Sequence, residues 1–418
     1  MTHFLSDRAA RQRIAVLIAS LLFITVGTGS VYFLVVALKL ISGEFDWPRS
    51  VPSIAYALQY MGGGIGGILM GHWADRRGMG GPALLGGSMI GAGALLTSVV
   101  SEPWHLYLIY GGMTGLLGRA TLFSPLMANI TRWFEHKRSM AVGIVGSGQG
   151  LSGALWPPLF QHFFDEIGWR QTALWYGVFV LVAMLPLVFI LRHRPPPPAA
   201  LTGAAASAAA AAAARIRRDA AALSPLKMQV SLSIASIGCC VAMSLPLAHI
   251  VSHVSDLGYE PARGAEVLSL MLACATLSSF FGVGYLGERF GGLKAIFLFS
   301  SAQAVFLGVL AFVDSLSTLY IGAVLFGLGY GGILPLYPVI VREHLPPAEV
   351  GRRTGFVILC AGSGMALGSW LGGAVFDMIG AYPVAFMIGV GFNIANLAII
   401  GFLILRTQAP RPVALAAE

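Results

Sequence analysis

Gly71-His72-Trp73-Ala74-Asp75-Arg76-Arg77-Gly78 returns, altered but recognisable, as Gly284-Tyr285-Leu286-Gly287-Glu288-Arg289-Phe290-Gly291, 213 residues further on. Both copies set an acid and an arginine between glycines, and both follow a long apolar run. A second pair, Gly146-Ser147-Gly148 and Gly362-Ser363-Gly364, repeats at 216 residues. Two separate echoes at nearly one spacing mark a chain built by duplication, the internal symmetry that membrane carriers use.

The duplicated unit is a set of membrane helices. Of 418 residues, 56% are hydrophobic and only 11% charged, and the mean hydropathy of +0.78 lies far outside the range of a soluble domain. Apolar runs of about 20 residues, enough to cross a bilayer core, recur twelve times: 14–38, 51–72, 82–100, 106–130, 139–163, 171–192, 228–250, 264–286, 293–313, 318–341, 355–376 and 382–405. The first run is too long for a removable leader and lacks a small-x-small cleavage site, so it is expected to remain. The fold class that follows is an all-α membrane protein of two pseudo-symmetric six-helix bundles, spanning residues 1–192 and 228–418. All four cysteines, Cys239, Cys240, Cys274 and Cys360, fall inside these runs without disulfide or metal spacing.

Lysines and arginines orient the chain. With the N-terminus cytoplasmic, 21 of the 26 fall on inner segments and four, Lys39, Arg49, Arg170 and Arg263, on outer ones. Both termini are therefore expected inside, in a cell inner membrane. The net charge of +8 is spread over short inner loops and calls for no nucleic acid. Residues 193–227, with their proline and alanine runs, read as a cytoplasmic tether that cannot pack a core.

The pattern Gly-x-x-Ala-Asp-Arg-x-Gly between the second and third runs, with its degenerate copy between the eighth and ninth, resembles the signature loop of the major facilitator superfamily. Within it, Arg132 to Leu159, RWFEHKRSMAVGIVGSGQGLSGALWPPL, is similar to the monocarboxylate and oxalate/formate porters. The resemblance implies a secondary transporter working by alternating access as a monomer. It also implies that Asp75, beside Arg76, latches the cytoplasmic side against the eleventh segment near Arg352 and Arg353. Glu288, beside Arg289, would do the same toward Lys137 and Arg138.

One residue is left over. Arg119 stands in the middle of TGLLGRATLFSPL, Thr114 to Leu126, about 20 Å into its helix and beyond comfortable snorkelling reach. An isolated arginine there costs about 2.5–3.5 kcal/mol unless it is paired, and every Asp and Glu maps to a loop, a terminus or a helix end. The missing negative charge is expected to arrive with the cargo, an anion whose carboxylate matches the guanidinium fork. Drug antiporters of the superfamily also carry an arginine in the fourth segment, so export of lipophilic compounds is the competing expectation.

Sliding GLLGRAT onto FGLGYGG puts Tyr330 where Arg119 stands in the first half, with Tyr337 two turns on, and Tyr32 and Gln149 complete the expected cargo contacts. Tyr56, Gln59 and Tyr60 are read as lining the entrance. His249 and His253, expected near an interface, are the titratable groups nearest a proton path, although exchange of one anion for another needs none. No cluster of His, Asp, Glu or Cys at one depth supports an enzyme, a metal site or a cofactor, and no glycine-rich run sits where a strand meets a helix, as nucleotide binding requires.

Overall fold

In lipid every backbone polar group must find its partner within the segment, so the apolar runs have to be helices. The computed structural model describes residues 2–134, 138–195, 224–281, 286–346 and 349–408, and its regular structure is helical throughout. The segments are α1 (Thr2–Phe45), α2 (Ser50–Arg77), α3 (Gly80–Thr97), α4 (103–133, in pieces), α5 (138–167), α6 (169–191), α7 (Pro225–Asp256), α8 (Pro261–Phe281), α9 (Gly292–Leu310), α10 (Leu316–His344, in two pieces), α11 (Val350–Ile379) and α12 (Pro383–Gln408). Among the described residues, seven helical stretches are long and apolar enough to cross a membrane by length and composition, and one of them, Met140–Leu191, is α5 and α6 joined across Gly168 at φ 78°. The tether region 196–223 lies outside the described residues.

The repeated loop has a repeated backbone. Gly78 ends α2 at φ 87°, ψ 170°, and Gly291, its counterpart, precedes α9 at φ 81°, ψ 157°. A residue with a β-carbon is strained in that region, which is why both motif copies close on glycine. Gly284, Tyr285 and the side chain of Glu288 lie outside the described residues.

Helices approach closely through small residues, as expected where lipid supplies no hydrophobic drive between them. A β-carbon built at Gly66 of α2 would stand 2.0 Å from the Leu116 carbonyl oxygen of α4, and one at Gly331 of α10 would stand 2.1 Å from the Ala275 oxygen of α8. Across the two halves, α2 lies on α11 and α5 on α8; Gly153 of α5 leaves room for both Leu272 of α8 and the Tyr32 hydroxyl of α1. Both described chain ends sit at one face, here the termini face, and the ends of α1, α7 and α11 meet at the other, the far face.

Candidate functional site

Neither α4 nor α10 crosses as a continuous α-helix. In α4, Pro103–Tyr107 is followed by a π-helix over Leu108–Gly118, a 3₁₀ turn at Arg119–Thr121, and a restart at Ser124–Trp133. Pro125 has no N–H for the Thr121 carbonyl, and its ring excludes α geometry just before it, so the break falls where the sequence places the proline. In α10, Leu316–Tyr330 stops at Gly331 and Gly332, and Ile333–His344 resumes. Arg119 and Tyr330 therefore occupy matching breaks, as sliding the two halves together predicts.

Arg119 is half-buried, its methylenes running over Gly63 of α2, where a β-carbon would come within 2.9 Å of Cδ. Its guanidinium lies 4.0 Å above the centre of the Tyr60 ring, a cation–π contact. Among the described residues it forms no ion pair. Tyr32 lies close enough to feel both Tyr60 and Arg119 electrostatically. The Tyr56 ring packs against that of Tyr60, centroid to centroid 4.9 Å. Tyr330 reaches the same group from the second half, within electrostatic range of Tyr32 and Tyr60. Tyr60 is thus the tyrosine in contact with the fixed cation, with Tyr56 packed on Tyr60.

Other expected contacts go elsewhere. Tyr337 is fully buried within the second half, its hydroxyl 3.1 Å from the Cys239 sulfur of α7, and does not join the cluster. Gln149 is half-buried on α5, between Gly148, which faces α1, and Gly150, which faces Thr276 of α8. Gln59 lines no entrance: it is fully buried and donates to Ser30 Oγ at 3.2 Å and Thr114 Oγ1 at 3.3 Å, tying α2 to α1 and α4. His249 and His253 lie toward the outer end of α7, as the sequence places them, and are buried against protein there. His249 is wholly buried and its Nε2 donates to the Ser369 carbonyl at 2.7 Å, while His253, 5% exposed, packs edge-on to Tyr382 and Phe386.

At the termini face the described ion pairs stay within a half. Asp75 pairs with Arg132 of α4 at 2.5 Å and does not reach α11. Arg353 and Arg352 are taken by Glu349, at 2.6 and 3.4 Å, and the Arg353 hydrogen bond holds the Glu349 carboxyl below its usual range. Arg76 and Arg289 are exposed; Arg138, like Glu288, has its side chain outside the described residues. Gly146, Gly351 and Gly355 have open space beside them. At the far face the halves are joined: Lys39 and Arg49 of the first half share the Asp256 carboxylate of the second. Sequence reasoning puts all three in solvent-facing loops and misses the pairing. Among the described residues the ion pairs between the halves lie at the far face, with Arg119 stacked on Tyr60 between the two faces.

The family model for the Major Facilitator Superfamily matches residues 16–308 and 230–418. The rat monocarboxylate transporter 13 is 27% identical over 366 residues, 84% of this chain and 78% of its own length. The MFS-type transporter pynF of Aspergillus niger is 25% identical over 352 residues, 83% of this chain and 77% of its own. Among solved structures, the nucleoside transporter NupG superposes with a TM-score of 0.72 at 13% identity, covering 94% of this chain and 99% of that one, a likeness of fold. The chain belongs to the major facilitator superfamily, and it is a transporter, not an enzyme.

Proposed function

We propose that this member of the superfamily is a secondary carrier for a small organic anion, a carboxylate, moved by alternating access between two bundles, 1–192 and 228–418, joined by the tether 193–227. The observation that carries the reading is Arg119: a permanent cation at mid-depth, without an ion pair among the described residues and stacked on the face of the Tyr60 ring. A carboxylate completes it, because the guanidinium fork supplies two parallel donors and Tyr32 and Tyr330 can add one each. Relatives named monocarboxylate transporters support the same class. Export of lipophilic cations fits less well, since no described carboxylate lies beside Arg119 to receive a positive charge.

The termini face is the cytoplasmic face of an inner membrane on this reading, and the carrier works as a monomer. In the opposite state Asp75 and Arg76 turn toward Arg353, and Glu288 and Arg289 toward Arg138. Transport is driven by a co-transported proton or by exchange for a second anion; a proton path would use His249 and His253, the buried titratable groups behind the far face.

Uptake of radiolabelled mono- and dicarboxylates into proteoliposomes tests the proposal. The expected result is saturable carboxylate uptake whose kcat/KM Arg119→Gln lowers about 10- to 150-fold. Uptake of cationic lipophiles with carboxylates ignored, or full carboxylate uptake by Arg119→Gln, overturns it.

A further inference from the structure

The far-face contact is built from residues that no motif joins. Arg49, just before α2, lays its guanidinium 3.7 Å from the centre of the Phe376 ring. Its Nη2 donates to Asp256 Oδ1 at 2.7 Å, Nη1 donates to the other Asp256 oxygen, and Nη1 also reaches the Tyr382 hydroxyl at 2.9 Å. Lys39 at the end of α1 meets the same carboxylate at 2.8 Å. Asp377, from the end of α11, accepts the backbone N–H groups of Arg49 and Ser50 at 2.8 and 3.0 Å. Those are orphan donors at the start of α2, so a carboxylate of one half caps a helix of the other.

We propose that Arg49, clamped by Asp256 and capped by Asp377, is the far-face gate of the carrier. Each of these contacts crosses from the first half to the second, so none survives when the halves separate there. Apolar packing alone does not seal the face: a cavity of about 370 Å³ lies beside the clamp between α1, α5, α7 and α8, with Lys39 and Ser255 in its wall. Directly beneath, the helices approach closely at a glycine, since a β-carbon at Gly373 would stand 2.9 Å from Ser50 Cα and 2.5 Å from Ser53 Oγ. Ser53 is fully buried under the clamp and reports whether it is shut. The proposal rests on the movement of the halves and not on the identity of the cargo.

The test is the rate at which a membrane-impermeant maleimide labels Ser53→Cys in purified protein in nanodiscs, with the four native cysteines replaced by alanine. Labelling of the parent is expected to be slow. Arg49→Gln and Asp256→Asn should each accelerate it about tenfold or more and Asp377→Asn about threefold, while Arg49→Lys, which keeps the charge, stays within about threefold of the parent. Ser236→Cys, buried inside the second half, serves as the control and should stay unlabelled in every background. Unchanged Ser53→Cys labelling in both Arg49→Gln and Asp256→Asn overturns the proposal, as does equal acceleration at Ser236→Cys, which signals general loosening. Should Arg49→Gln fail to purify as a monodisperse protein, the labelling rates of Asp256→Asn and Asp377→Asn decide the matter, and no acceleration in either overturns the gate. No cargo enters the assay, so a failed anion reading leaves its outcome untouched.

Discussion

The two mid-membrane breaks, Arg119 in α4 and Tyr330 in α10, are the same device with different chemistry. Each ends one helical stretch near mid-depth and each lies beside glycines that bring a neighbouring helix backbone to backbone. Gly62 and Gly66 admit α4 to α2, while Gly327 and Gly331 admit α10 to α8, where built β-carbons would stand 2.2 and 2.1 Å from carbonyl oxygens of α8. The first break carries a fixed charge and the second a hydroxyl. The architecture of the break thus occurs twice, and the fixed charge in one copy only.

Removing the charge breaks this contrast most completely. Arg119→Gln takes away a charge-assisted bidentate contact worth about 1.5–3 kcal/mol, so kcat/KM for carboxylate uptake should fall about 10- to 150-fold, with Arg119→Lys between the two. Gly66→Ala and Gly331→Ala come next, each forcing a methyl group onto a carbonyl oxygen at the back of its break. Both should cost roughly 1–3 kcal/mol of stability, read as a lowered melting temperature of the purified protein. Tyr330→Phe, losing a neutral hydroxyl, should cost about 1 kcal/mol, a rise of about fivefold in KM with kcat nearly unchanged. Smallest is Tyr337→Phe: its hydroxyl meets only Cys239, so KM should not move, and an effect equal to that of Tyr330→Phe would show that α10 presents a different face.

Tyr337 also shows where sequence stops being a guide. Two turns separate it from Tyr330 on a continuous helix, and the sequence justifies placing both on one face. Gly331 and Gly332 interrupt the helix between them, the register is lost, and Tyr337 turns into the bundle. The twelve segments are legible because hydropathy reports depth, and the paired loops because only glycine tolerates the backbone at 78 and 291. Depth says nothing about azimuth: His249 and His253 lie toward the outer end of α7, as the sequence places them, and the fold packs them among α7, α11 and α12. Tyr60, which lies under the Arg119 guanidinium, carries only a faint signal as a polar aromatic in an apolar run, four residues after Tyr56.

The far-face clamp has no signal at all. Its members lie 207 and more residues apart along the chain for each Arg49 contact, every one sits at a helix end, and charges in such places are ordinarily solvated. The loop acid Asp75 is conspicuous, yet it pairs with Arg132 of its own half and not with the expected partner on α11.

Asp256 serves two cations at once, and Asp377 faces the same cluster, so separation at the far face leaves two positive groups on one wall and two negative groups on the other. While the pairs are in contact and partly sheltered, dissolved salt reaches them poorly; once apart, each acquires its own ion atmosphere, with a Debye length of about 8 Å at 0.15 M. Added electrolyte on that side favours the parted arrangement. If the clamp is the gate proposed above, transport should show a one-sided sensitivity to ionic strength, stronger from the clamp side than from the side where the chain ends lie.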